Sequence, residues 1–164
     1  MPVSQYYMEF ITGYVTESAA NTWTTAAIEV PTSKELTMAM IIHQVEMDIE
    51  PPEHTAVGGT VVMGYLIDDD LEDRPMFDNT HVIYAKDQAL YMDAAVAEVA
   101  WASAETHILG GRVQTWQPGI LYAKKKIYVG CEGVGQASAK TVRVRIGYTL
   151  EKVTTEQFIA ALTE

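Results

Sequence analysis

Fourteen residues near the C-terminus constrain this chain more than any other stretch. In "KTVRVRIGYTLEKV", residues 140–153, Val142, Val144, Ile146, Tyr148 and Leu150 occupy every second position. Thr141, Arg143, Arg145, Thr149 and Glu151 fill the gaps. Side chains of a β-strand alternate between faces, so this spacing predicts one long strand with Val142 to Leu150 facing inward. A second stretch adds a geometric condition. In "ELTMAMIIHQVEMDIE" the apolar positions are Leu36, Met38, Met40 and Ile42, then Val45, Met47 and Ile49. The phase slips by one residue at His43–Gln44. A slip inside a strand sends its side chains to the wrong face unless a bulge absorbs the extra residue. A bulge or kink is therefore expected within two residues of His43.

Other segments follow the same period. "MEFITGYV" and "TTAAIEV" read as strands, the second stopped by Pro31. "TVVMGYLID" is apolar on both faces and reads as a central strand. "HVIYA", "RVQTW", "GILYA" and "KIYVGCE" are short strands punctuated by Gly, Pro and Lys. "DQALYMDAAVAEVAWASAE" is rich in alanine, with Asp87 placed as an N-cap, and predicts a helix over 87–95 and a strand over 96–102. "TTEQFIAALTE" reads as a C-terminal helix capped by Thr154 or Thr155, with Phe158, Ile159 and Leu162 on one stripe. Many short strands separated by polar turns predict an all-β, antiparallel jelly-roll sandwich closed by a short helix. The length of 164 residues suits one domain over 1–164.

Charge narrows the partners. The formal net charge is −11, against the basic surface expected of a general nucleic-acid binder. No Lys or Arg precedes Lys34, so no basic N-terminal arm is read. Seven of the eleven cations crowd residues 124–152: Lys124, Lys125, Lys126, Lys140, Arg143, Arg145 and Lys152. The acids concentrate earlier, in "DDDLED" at residues 68–73. That asymmetry predicts self-association, with Arg143, Arg145 and Lys124 to Lys126 as interface residues. No apolar run approaches the roughly 20 residues needed to span a bilayer, and "MPVSQYYMEF" lacks the pattern of a signal peptide. The one cysteine, Cys131, falls in phase with Ile127 and Val129 and reads as a buried apolar residue.

Motifs for chemistry are sparse. His43, His54, His81 and His107 are too widely spaced for a local metal pair. "DDDLED" offers the oxygen ligands that calcium prefers, with Asp68, Asp70 and Asp73 as the ligands to test, but lacks EF-hand spacing. There is no GxSxG, P-loop or GxGxxG, so no enzyme and no cofactor are expected. "GVGQ" reads as a turn in which glycine adopts positive φ. Trp23, Trp101 and Trp116 could stack a sugar ring, which keeps a carbohydrate-binding or adhesin-like sandwich as an alternative.

The C-terminal third has a further pattern: "GILYAKKKIYVGCEG" as strand, lysine turn and strand, a Gly/Ser/Ala loop, the long "KTVRVRIGYTLEKV" strand, then "TTEQFIAAL". In that order it resembles the end of single jelly-roll capsid proteins from icosahedral, tailless viruses of archaea and bacteria. The resemblance implies a shell building block that meets copies of itself and other capsid proteins. It implies location in the virion after assembly in the host cytoplasm. The acidic charge and missing basic arm depart from many such proteins, so direct genome contact is not expected.

Overall fold

The computed structural model describes residues 7–32, 37–53, 58–92, 102–104 and 113–163. The strands are β1 (Glu9–Thr16), β2 (Thr24–Glu29), β3 (Met38–Ile49), β4 (Gly58–Ile67), β5 (Val82–Met92), β6 (Ala102–Ala104), β7 (Val113–Tyr122), β8 (Lys126–Val134) and β9 (Thr141–Lys152), followed by helix α1 (Thr155–Thr163). They form two sheets, ordered β1-β9-β3-β7 and β2-β8-β4-β5-β6.

Every pairing is antiparallel, and the pairings reveal how the chain is wound. β1 pairs with β9, β2 with β8, β3 with β7 and β4 with β5, so the chain is one long ribbon folded on itself. The ribbon then rolls up, and β9 meets β3 while β8 meets β4. That path is the jelly roll. β6 extends the second sheet beyond β5.

Between the sheets lies the main core, including Met40, Ile42, Val45, Met47, Val62, Leu66, Ile127, Val129, Val142 and Ile146. Cys131 is buried there, and burial pushes its thiol up to about 12, so it packs as an apolar group. On β9, Val142, Val144, Ile146 and Tyr148 are buried as their spacing predicts. Leu150 is the correction: it lies opposite Met40 but near the end of the strand, and stays 36% exposed.

The phase slip in β3 is a bulge. Its register with both β7 and β9 shifts between Ile42 and Gln44. Met40 and Ile42 before it, and Val45, Met47 and Ile49 after it, are consequently all buried. The His43 ring bonds the Thr149 hydroxyl at 2.8 Å, covering the outer face of β9.

Two expectations change. Residues 87–92 continue β5 rather than starting a helix. β4 is apolar on both faces and pairs with β5 from Gly58↔Met92 to Ile67↔Val82, so sheet pairing overrides local alanine propensity. Residues 93–101, which hold the rest of that predicted helix and most of the strand over 96–102, lie outside the described residues; Ala102–Ala104 is strand. "RVQTW" and "GILYA" merge into the single strand β7.

Helix α1 starts at a capping box. Thr154 Oγ1 accepts from the Gln157 N–H at 3.2 Å, and Gln157 Oε1 accepts from the Thr154 N–H at 3.0 Å. Phe158, Ala161 and Leu162 face Ala39 and Ala123 in a satellite core. Ile159 is off that stripe, at 55% exposure, because one residue turns the helix by about 100°.

The bulge supplies a sharp test. Deleting His43 should leave a folded chain with a regular, unbulged β3, because Ile42 and Val45 would then stand two residues apart and keep Met40, Ile42, Val45 and Met47 in phase. Loss of folding on this deletion would show that the bend itself, and not parity alone, is required. His43→Ala keeps the residue count and should cost only about 1 kcal/mol in urea unfolding, through the lost bond to Thr149.

Candidate functional site

The arginines of β9 lie on the outer face of the four-stranded sheet. Register places Arg145 between Thr12 of β1 and Glu46 of β3, and Arg143 between Tyr14 and Asp48. Both arginines are exposed. Opposite charges facing across strands contribute roughly 0.2–1 kcal/mol per pair. The Arg145 guanidinium also sits over the Phe10 ring, 3.9 Å from its centroid. β1 turns Ile11 and Val15 toward the core and leaves Phe10 (43%) and Tyr14 (68%) outside. A groove of about 730 Å³ runs here, lined by side chains of β1, β2, β3 and β9.

The predicted lysines scatter into separate roles. Lys124 makes an ion pair with Asp68, whose other oxygen bonds His81 Nδ1 at 2.7 Å. Lys126 pairs with Glu29 at 3.6 Å, both exposed on neighbouring strands, while Lys125 stands exposed between them. None of the three lines the groove.

The acidic segment begins the loop over residues 68–80, in which Asp69, Asp70, Glu72 and Asp73 are exposed. It folds over the outer face of β4, where Leu71 joins Trp23, Met63, Tyr65 and Ile67 in a second satellite core. Asp68 is engaged as above, Asp70 accepts from the Thr25 hydroxyl at 2.6 Å, and Asp73 is exposed. Among the described residues no three His, Cys, Asp or Glu side chains gather as a metal-ligating group. His54 and His107 lie outside the described residues.

The tryptophans that are described serve packing. Trp23 donates its indole N–H to the Leu71 carbonyl at 2.8 Å and meets Tyr65 edge-on at 5.5 Å. Trp116 packs against the main core and meets Tyr84 edge-on. Trp101 lies outside the described residues.

One polar cluster escaped the sequence reading. At one end of the sandwich, Glu17 is 4% exposed and accepts three backbone N–H groups: Thr22 and Gly133 on Oε1, and Lys140 on Oε2. Asn21, at φ 60°, exchanges two side-chain bonds with the backbone of Gln136. Gln136 in turn accepts from the Glu53 N–H at 2.7 Å. The Glu53 carboxylate takes the Ser138 hydroxyl, the N–H groups of Ala137 and Ser138, and the Lys140 ammonium at 2.9 Å. Three loops are thereby clasped together. The hint in the sequence was "GVGQASAK", a loop whose polar residues have no period, and periodicity cannot reveal a network of that kind.

No family description matches the chain, and no curated protein does. Among solved structures it is similar in fold to VP1 of Merkel cell polyomavirus as an unassembled pentamer, with TM-score 0.46, 7% identity, and 90% of this chain and 96% of that chain covered. It is similar also to VP1 of trichodysplasia spinulosa-associated polyomavirus, with TM-score 0.44, 9% identity and the same coverage. A further likeness, at TM-score 0.45 and 6% identity, is Merkel cell polyomavirus VP1 in complex with GD1a oligosaccharide, covering 87% of this chain and 94% of that chain. The jelly-roll assignment itself rests on this chain's own strand pairing.

The clasp responds to acid in a defined direction. Glu53 is drawn from 4.5 to about 2, first by the Ser138 hydroxyl and then by Lys140. A carboxyl lowered on folding stabilises the fold above pH 4.5 and loses that contribution as pH falls through about 2. Glu53→Gln should therefore lower stability at neutral pH, with the gap to the parent closing below about pH 4.5 and vanishing near 2. Urea unfolding across that range reads the gap directly; a gap independent of pH would show that the charge is not what holds the loops.

Proposed function

We propose that this chain is a building block of a protein shell, a virion structural protein that acts by self-assembly. The observation that carries the reading is the outer face of β1, β9 and β3. There Phe10 and Tyr14 stand exposed beside a two-sign charge ladder, Arg143 and Arg145 against Asp48 and Glu46. The outer face of β4, by contrast, is covered by the chain's own loop. An exposed aromatic and charged face on a rigid sheet marks a contact surface. The strand path supports the reading, because jelly rolls are common in capsids, although the fold by itself does not decide function.

The finer reading follows the resemblance noted in the sequence. The shell is that of an icosahedral, tailless virus of an archaeal or bacterial host, assembled in the host cytoplasm with other capsid proteins as neighbours. The acidic balance keeps direct genome contact out of the proposal. No helix among the described residues is long and apolar enough to cross a membrane.

A carbohydrate-binding role would call for aromatic rings open to solvent. Trp23 and Trp116 are both only partly exposed and occupied by neighbours, so this reading is the weaker one.

Size-exclusion chromatography with light scattering, at several salt concentrations, tests the proposal. Oligomers that dissociate as salt rises are expected; a strict monomer in every buffer at high protein concentration overturns it. Replacing Arg143 and Arg145 together by Glu should leave a folded monomer, about 1–2 kcal/mol less stable through the two cross-strand pairs, and impair assembly. An unfolded double variant would place the arginines' role inside the domain.

A further inference from the structure

The groove over β1, β2, β3 and β9 has a definite chemistry. Ile11, Tyr14 and Ala27 give it apolar lining over a floor of buried Ile28 and Val144, and Arg143 and Arg145 stand with Glu29, Glu46 and Asp48 around it. Its volume of about 730 Å³ falls in the range, roughly 300–1,000 Å³, of cavities that enclose a compact guest. Such a guest must bring apolar side chains with charge beside them.

The same chain carries a matching feature elsewhere. In the loop over residues 68–80, Met76 is 78% exposed and Phe77 51% exposed, side by side. Two adjacent large apolar residues on a loop tip are unusual where nothing covers them. The tip is held in shape. The Asn79 N–H donates to the Met76 carbonyl at 3.0 Å, Pro75 is buried, and one face of the Phe77 ring stacks on Tyr65 with centroids 5.5 Å apart. A preformed tip loses little freedom on docking. Exposed Asp73 and Asp78 flank it. A guanidinium has five donors, more than one cross-strand carboxylate uses, so Arg143 and Arg145 retain capacity for those acids.

We infer that the Met76–Phe77 tip of one copy docks in the β1–β2–β3–β9 groove of a second copy. This deepens the shell reading and rests on it. Tip and groove are different patches of one chain, so the contact is heterologous: each copy offers a tip to one neighbour and a groove to another. Such contacts propagate into rings or larger assemblies. Adjacent anchors in a pocket carry most of an interface's energy, which makes Met76 and Phe77 the residues whose removal is felt.

Two variants and their mixture test this by sedimentation velocity. Met76→Glu with Phe77→Ser removes the tip and leaves the groove; Ala27→Trp fills the groove and leaves the tip. Each alone should associate at least about 30-fold more weakly than the parent. Mixed one to one, they should form a dimer that grows no further, because one intact tip meets one intact groove. Parent-like assembly of either variant overturns the docking while leaving the shell reading standing. A mixture that stays monomeric also overturns it. A parent chain that never associates removes the shell reading and the docking together. If Ala27→Trp does not fold, the variants Asp78→Cys and Tyr14→Cys, each adding one exposed thiol and leaving Met76 and Phe77 in place, should cross-link to each other under mild oxidation, and failure to do so sinks the inference. Buried Cys131 does not interfere.

Discussion

The pairing of β9 with β3 is the interaction on which the rest of the structure depends. A ribbon of paired strands has two edges and one apolar face to hide. Rolling it brings β9 from one end against β3 from the middle, from Met38↔Lys152 to Ile49↔Val142. The roll closes only if both strands keep their apolar side chains pointing the same way. β9 does this by alternation along Val142–Tyr148. β3 does it by spending one extra residue, His43, whose bulge restores the phase between Ile42 and Val45. The ring of that extra residue then bonds Thr149 across the joint. One residue thus sets the parity of the strand that both halves of the ribbon pack against.

Closure also sorts the charges. Strands that pair in register confront their outward residues, so Arg143 and Arg145 fall opposite Asp48 and Glu46, and Lys126 falls opposite Glu29. The sequence shows a basic segment and an acidic one far apart; the folded sheet shows a nearly neutral ladder with aromatic side chains beside it. That is a surface suited to specific contact more than to long-range attraction, because mixed charges at close range cancel at a distance. At one end of the sandwich the opposite solution appears. Glu17 and Lys140 are both buried there, and their charges are met by backbone N–H groups and by Glu53, which makes three loops one unit.

Much of this was legible beforehand, and the residues say why. Strand existence, the buried phase of Val142 to Tyr148, the bulge at His43, the central place of β4 and the capped terminal helix all follow from period and local chemistry. Those signals belong to neighbouring residues and need no knowledge of the fold. What could not be read there has the reverse property. Asp87 to Met92 have helical propensity, yet they are the strand that β4 requires at its open side. Lys124, Lys125 and Lys126 look like one patch, yet each goes its own way because Asp68 and Glu29 reach two of them. In the segment from Asp68 to Asp73 the side chains of Asp69, Asp70, Glu72 and Asp73 are exposed, and what could not be read was that Leu71 between them packs with Trp23 and Tyr65.

The sequence by itself determined the class of fold, the face that most strands bury, the site of the parity correction and the imbalance of charge. These are written in a repeat of two residues and in composition. Only the tertiary structure decided which strands neighbour one another, and therefore which carboxylate stands opposite which arginine. It also decided where a groove opens beside exposed Tyr14, and which loop presents Met76 and Phe77 to solvent. Those facts depend on residues from a dozen to more than a hundred positions apart arriving at the same place, and the longest of those contacts are fixed by the closing of the whole roll.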